Sequence, residues 1–173
     1  MFPLGHVGIA LGVAFALVRI LKKSPDPKTF IIIVGVAAVL PDLIDKPIGL
    51  LYGFQGGGRL FAHTLLFSVI VMAVSLVAWR WATRRELATS FLPLLFTLAV
   101  WIHLLLDLMW EDPEILLWPA YGLGFPTGEF SWGHLTASPY AMAGEVVGAI
   151  ILVYLALLLF LGRFNVEGPE GGT

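Results

Sequence analysis

The stretch FIIIVGVAAVLPDLIDKPIGLLY, Phe30 to Tyr52, decides how the rest of the chain is read. Its first part, Phe30 to Leu40, is uninterrupted apolar sequence ending at Pro41. A helix needs roughly 20 residues to cross the hydrocarbon core of a bilayer, so this run is too short on its own. The PDLIDKPIGLLY stretch must complete the crossing, which places Asp42 and Asp45 at membrane depth. An aspartate at a helix centre costs about 2.5–3.5 kcal/mol on insertion scales. Irregular backbone at that depth is tolerated where it lines a polar cavity, so PDLID is expected to form a cavity wall. Two carboxylates at i, i+3 also repel each other unless a cation or protons intervene. The plainer reading is a pair of solvated aspartates in a helix-end turn.

The remaining sequence supports a membrane setting. Of 173 residues, 58% are hydrophobic and 13% charged, and mean hydropathy is +0.90. A soluble domain is nearer half apolar and a quarter charged. The net charge of −2 leaves no basic surface for nucleic acid. Without Cys there are no disulfides and no thiolate metal sites. Apolar stretches run from about Leu4 to Leu21, Phe30 to Leu40, Leu60 to Trp81, Phe91 to Trp110 and Tyr140 to Leu161. The fold class expected is all-α, a polytopic bundle of about five transmembrane segments. Residues 1–164 form one membrane-embedded domain and 165–173 a disordered, Gly-rich polar tail. The first segment lacks a basic region ahead of it and is expected to be retained rather than cleaved as a signal peptide. The long connection from Glu111 to Pro139, rich in Trp, Pro and Gly, is expected at the membrane surface.

Lys and Arg set the orientation. Lys22, Lys23 and Lys28 follow the first segment, Arg80, Arg84 and Arg85 the third, and Arg163 the fifth. With five crossings these fall on one side, which the positive-inside rule makes cytoplasmic. The N-terminus is then outside and the C-terminus inside the plasma (inner) membrane. His6, Asp42, Asp45, His63, His103 and Asp107 all land in the outer half.

HLLLD, His103 to Asp107, places an imidazole and a carboxylate one helical turn apart. They can share one metal, or the carboxylate can orient the imidazole; the plainer reading is a hydrogen bond between helices. RLFAH pairs Arg59 with His63 at i, i+4, and the planar fork of Arg suits phosphate. A lipid-headgroup anchor is the ordinary alternative for Arg59. His6 in PLGHVG is the least specific of the set. Together, three His and three carboxylates are enough for one or two divalent ions, with zinc, manganese and iron all compatible with nitrogen and oxygen donors. Glu145 and His134 are further candidates for the site, with an interfacial carboxylate and a solvated loop His as the simpler readings. Lys46 either snorkels to the interface or neutralises a substrate charge. Gly8, Gly12, Gly144 and Gly148, in two i, i+4 pairs, suit close helix packing.

The order of an early His, LPDLID, R-x-x-x-H-T and H-x-x-x-D resembles the YdjM-type family of membrane-bound metal-dependent hydrolases, over about residues 5–120. That resemblance implies a small helical membrane protein with a metal-dependent hydrolase site. It picks out His6, Asp42, Asp45, Arg59, His63, His103 and Asp107; of these Asp42, Asp45, His63, His103 and Asp107 are expected to bind metal, Arg59 to hold phosphate and His6 to serve as an additional ligand or acid/base, the last two as the catalytic groups. The family is also distantly similar to zinc-dependent phospholipase C, which favours a phosphoester substrate. One departure is that PDLID separates its aspartates by two residues where the family often has one.

The function expected is therefore a metal-dependent hydrolase acting on a lipid or lipid-linked phosphoester at the outer face. Two other classes compete: an ion or proton transporter or channel, and a non-catalytic membrane partner. The first would need polar residues continuing into the inner half, where the segments are nearly all apolar apart from Ser and Thr.

Overall fold

The computed structural model describes residues 3–52, 58–125 and 138–164. His134, the tail 165–173 and much of the two longest connections lie outside these residues. Among the described residues the chain is all helical. The helices are α1 (Pro3–Ile20), α2 (Pro27–Leu51), α3 (Leu65–Arg84), α4 (Leu92–Leu106), the one-turn α5 (Pro113–Leu116) and α6 (Pro139–Phe160). Two 3-10 turns, Phe61–His63 and Met109–Glu111, precede α3 and α5.

Local chemistry sets the helix starts. Asp26 caps α2, accepting from the Thr29 N–H and Thr29 Oγ1–H, both at 2.8 Å. Thr64 caps α3 by accepting the Phe67 N–H at 3.0 Å, and Ser138 caps α6 through the Ala141 N–H at 3.4 Å. Pro27 and Pro139 occupy first-turn positions, where no donor is lost.

α1, α2, α3 and α6 are each long and apolar enough to cross a membrane. Their outward faces carry large exposed apolar side chains, as a lipid solvent requires: Val74 and Val77 on α3 and Ile150 and Val153 on α6 are 60–70% exposed. α4 has 15 residues, or about 22 Å of helix, less than the ~30 Å core. It is the innermost helix, packed on α1, α2 and α3, with Leu95, Ala99 and Val100 buried against Phe30, Val34 and Ala38.

Three segment boundaries differ from the sequence expectation. α2 is one continuous helix of 25 residues through Pro41 and Pro47, about 37 Å long, so no irregular backbone is needed. In a membrane bundle the carbonyls freed by proline find partners on neighbouring helices. The third helix begins only at Leu65, because residues 60–63 turn around Asp45 instead of extending the helix. The fourth ends at Leu106, where Leu108 adopts a left-handed conformation, φ 54°.

α1 and α6 pack at backbone contact. A Cβ on Gly8 would collide with the Gly148 backbone, and one on Gly148 with the Leu4 and Gly5 backbone. At the opposite end Phe164 is buried between Phe15 and Phe30, with ring centroids 5.0 and 5.7 Å away. The Arg19 Nη2–H ties that end down by donating to the Arg163 carbonyl at 2.7 Å.

This topology brings the starts of α1, α3 and α6 to the same end of the bundle as the ends of α2 and α4. Of ten Lys and Arg, eight lie at the other end; only Lys46 and Arg59 share the end that holds the His and Asp residues.

Candidate metal centre

The His and Asp side chains of α1, α2, α4 and the 61–63 turn meet at one point. Asp42, His63, His103 and Asp107 each direct one donor atom into a group whose members lie within 4.8 Å of one another. His63 and His103 are completely buried, and the Asp42 and Asp107 side chains are only 12% and 7% exposed.

Each imidazole is oriented by its outer nitrogen. The His103 Nδ1–H donates to the Ala38 carbonyl at 2.7 Å. A carbonyl can only accept, so Nδ1 carries the proton and Nε2 presents a lone pair. The His63 Nδ1–H donates to Asp45 Oδ2 at 2.8 Å. The two Nε2 atoms then face each other 3.2 Å apart, and only a shared proton or a cation relieves the repulsion of their lone pairs. Asp42 Oδ1 lies 3.6 Å from His63 Nε2 and 3.9 Å from His103 Nε2. Asp107 Oδ2 lies 3.6 and 3.8 Å from the same two atoms.

The spacing of the two nitrogens fits a single small cation. A tetrahedral ion bonded at 2.0–2.1 Å holds two nitrogens about 3.3 Å apart. The outer N–H of each His bound to a carboxylate or carbonyl is the usual support of a metal-binding imidazole. The charge is also compatible: besides their contacts with Lys46, Arg59 and His6, Asp42 and Asp107 would pair with a cation placed between the imidazoles.

Asp45, which the sequence groups with Asp42 as a metal ligand, contacts His63 through the outer ring nitrogen, Nδ1. Completely buried, its carboxylate accepts the backbone N–H groups of Leu60, Ala62 and His63 at 2.7, 2.9 and 3.1 Å as well as the His63 ring. It wraps the 60–63 turn around itself and is not one of the four converging donors. His6 stands beside the group rather than in it. Its Nε2–H donates to Asp107 Oδ1 at 3.1 Å, and its ring lies 4.2 Å from that of His103. Arg59 precedes the 3-10 turn, so it does not share a helix face with His63. Its Nη1–H donates to Asp112 at 2.7 Å, its Nη2–H donates to the Asp107 carbonyl at 3.2 Å, and its Nε lies 3.6 Å from Asp107 Oδ2.

Three further residues have their own tasks. Lys46 donates to Asp42 Oδ2 at 2.7 Å, leaving Oδ1 aimed at the imidazoles. Glu145 accepts the Gly5 N–H at 3.0 Å, placing negative charge at the N-terminus of α1. Asp112 is a partner of Arg59 that the motifs did not single out; its only sequence signal is its position five residues after Asp107.

The fold and this buried His/Asp group define a multi-pass helical membrane protein with a prospective cation site at one end of the bundle. A family profile described as YdjM inner membrane protein matches residues 1–167, and the chain belongs to that family. Comparison with curated proteins and with solved structures returns no match.

Proposed function

We propose that this protein is a membrane-bound metal-dependent hydrolase acting on a lipid or lipid-linked phosphoester at the outer face. One divalent ion, zinc by preference and manganese or iron otherwise, is held by Asp42, His63, His103 and Asp107. The observation that carries this reading is the pair of imidazole Nε2 atoms 3.2 Å apart, with both Nδ1 atoms committed elsewhere and two carboxylates alongside. A divalent ion in such a site supplies Lewis acidity and an activated water near neutral pH. Asp45 acts here as the residue that fixes the tautomer and direction of His63. His6 steadies Asp107 and stands one hydrogen bond from it, placed to take up or return a proton. Arg59 fixes the end of α4 and offers guanidinium charge to a phosphoryl group.

The orientation proposed puts this end outside, with the N-terminus outside and the C-terminus cytoplasmic. It is supported by the eight basic residues at the opposite end. Because the chain has no Cys, single cysteines placed at Asp112 and Lys22 and probed in intact cells with an impermeant maleimide test it directly. Labelling at Lys22 alone would reverse the assignment.

The metal is tested by elemental measurement on protein purified without chelators. About one ion per chain is expected, lost in His103→Ala and Asp107→Ala. A wild-type protein that carries no stoichiometric metal, and takes none up, refutes the reading.

A further inference from the structure

Two cations stand over the four-donor group, and each is tied to one of its carboxylates. Lys46 holds Asp42 through Oδ2, and Arg59 holds Asp107 through its carbonyl and, at 3.6 Å, through Oδ2. The side chains below them are nearly closed to solvent, yet Lys46 is 48% and Arg59 31% exposed. They approach from connected pieces of backbone. A Cβ on Gly58, the residue before Arg59, would lie 3.0 Å from the Lys46 Cα, so the 58–59 segment rests on that turn of α2. Among the described residues they are the only Lys or Arg at this end.

Both retain donors. Lys46 has three N–H groups and spends one on Asp42. Arg59 has five and spends three, counting its long contact to Asp107. Their charge is held by Asp42, Asp107 and Asp112. Were Asp42 and Asp107 to hold a divalent cation, their claim on Lys46 and Arg59 would relax.

We propose that Lys46 and Arg59 form an anion clamp that accepts a phosphate-type oxyanion, free or on a lipid headgroup, once a divalent cation occupies the Asp42, His63, His103 and Asp107 group. The proposal rests on the metal-site reading and deepens it. A tetrahedral oxyanion has an oxygen for each of the two cations and another for the ion, which a carboxylate cannot match. Metal and anion binding are then coupled, and the coupling is reciprocal.

The test is calorimetry on the detergent-purified protein with glycerol 3-phosphate as probe, in metal-free and zinc-loaded states. Zinc is expected to tighten glycerol 3-phosphate binding at least about fivefold, the lower end of ordinary coupling, and acetate is expected to bind far more weakly. Lys46→Met and Arg59→Gln should each remove that gain, while Lys46→Arg restores it. Zinc affinity measured in every variant reports that the site is still folded. Nanodiscs of phosphatidylcholine with and without phosphatidic acid separate the sources. Competition by phosphatidic acid assigns the clamp to a lipid headgroup, and its absence assigns it to a free phosphoester. Zinc binding with no change in glycerol 3-phosphate affinity, equal affinity in Lys46→Met, or equal binding of acetate overturns the clamp and leaves the metal site standing. Failure to bind zinc overturns both.

Discussion

Replacing Asp45 by Asn separates a residue that positions an imidazole from one that binds a metal. Four donors converge on this buried carboxylate: three on Oδ2, from Leu60 N, His63 N and His63 Nδ1, and one on Oδ1, from Ala62 N. Asp45→Ala would orphan all four. At about 1–3 kcal/mol for each buried unsatisfied donor, the loss approaches the entire stability of an ordinary domain, so that variant reports only unfolding. Asn is milder. Its carbonyl oxygen takes the place of Oδ2 and keeps three bonds, while its amide faces the Ala62 N–H. One donor is left unsatisfied, at about 1–3 kcal/mol, and the three remaining bonds lose their charge assistance. His63 then turns more freely. Loss of such an outer partner ordinarily lowers metal affinity about 10–100-fold. We expect Asp45→Asn to fall in that range with unchanged stoichiometry, and Asp42→Asn, which alters a converging donor, to fall further. Chelator competition on the purified proteins measures both. Unchanged affinity in Asp45→Asn would refute the positioning role. Complete loss of metal with an unchanged unfolding midpoint would make Asp45 a ligand instead.

Four other outcomes follow from the packing and the caps. Gly8→Leu and Gly148→Leu place side chains into backbone and should lower the thermal midpoint sharply, at or beyond the ~1–3 kcal/mol usual for overpacking. Gly35→Ala, with nothing within 4 Å of the new methyl, should be neutral or stabilising by up to about 1 kcal/mol. Phe164→Ala removes a side chain only 4% exposed and should cost about 3–5 kcal/mol, read as a lower midpoint with metal stoichiometry intact. Asp26 is held below its usual 3.8 by the Thr29 backbone and then side-chain hydrogen bonds. Its stabilising effect is therefore present above the ordinary carboxylate value and is lost as pH falls through the lower folded value. Melting curves of Asp26→Asn should accordingly depend less steeply on pH below about 4 than wild type.

Much of this arrangement was legible in the residues themselves. The apolar runs located the helices, because lipid leaves so few places for charge. The placement of Lys and Arg brought all six ligand-type residues to one end, where they are found. The glycine spacing on α1 and α6 marked their close approach: Gly8 and Gly148 meet backbone to backbone, whereas Gly12 faces the Ile151 side chain. What the sequence could not show is where local rules yield to tertiary partners. Pro41 reads as a helix break, but the helix continues through it and a carbonyl of the same turn receives His103. RLFAH reads as a helical pair, but a buried carboxylate 15 residues earlier turns that backbone into a 3-10 turn.

The same limit explains the two aspartates of PDLID. At about 100° per residue, a separation of three puts Asp42 and Asp45 on neighbouring but not identical lines of α2, about 60° apart. Pattern alone treats them as a pair. The surroundings divide them: Asp42 faces the Nε2 atoms of His63 and His103, and the chain returning toward α3 presents four donors to Asp45. A one-residue separation would send the second carboxylate to about 200° from the first, away from the returning chain. The two-residue spacer is thus what allows one aspartate to face the candidate cation site and the other to build the turn that delivers His63 to it. Inserting a residue between Leu43 and Ile44 rotates the whole remainder of α2, Asp45 and Lys46 included, by about 100° and should abolish metal uptake. Retained stoichiometric metal in that insertion would show that the turn finds His63 without Asp45.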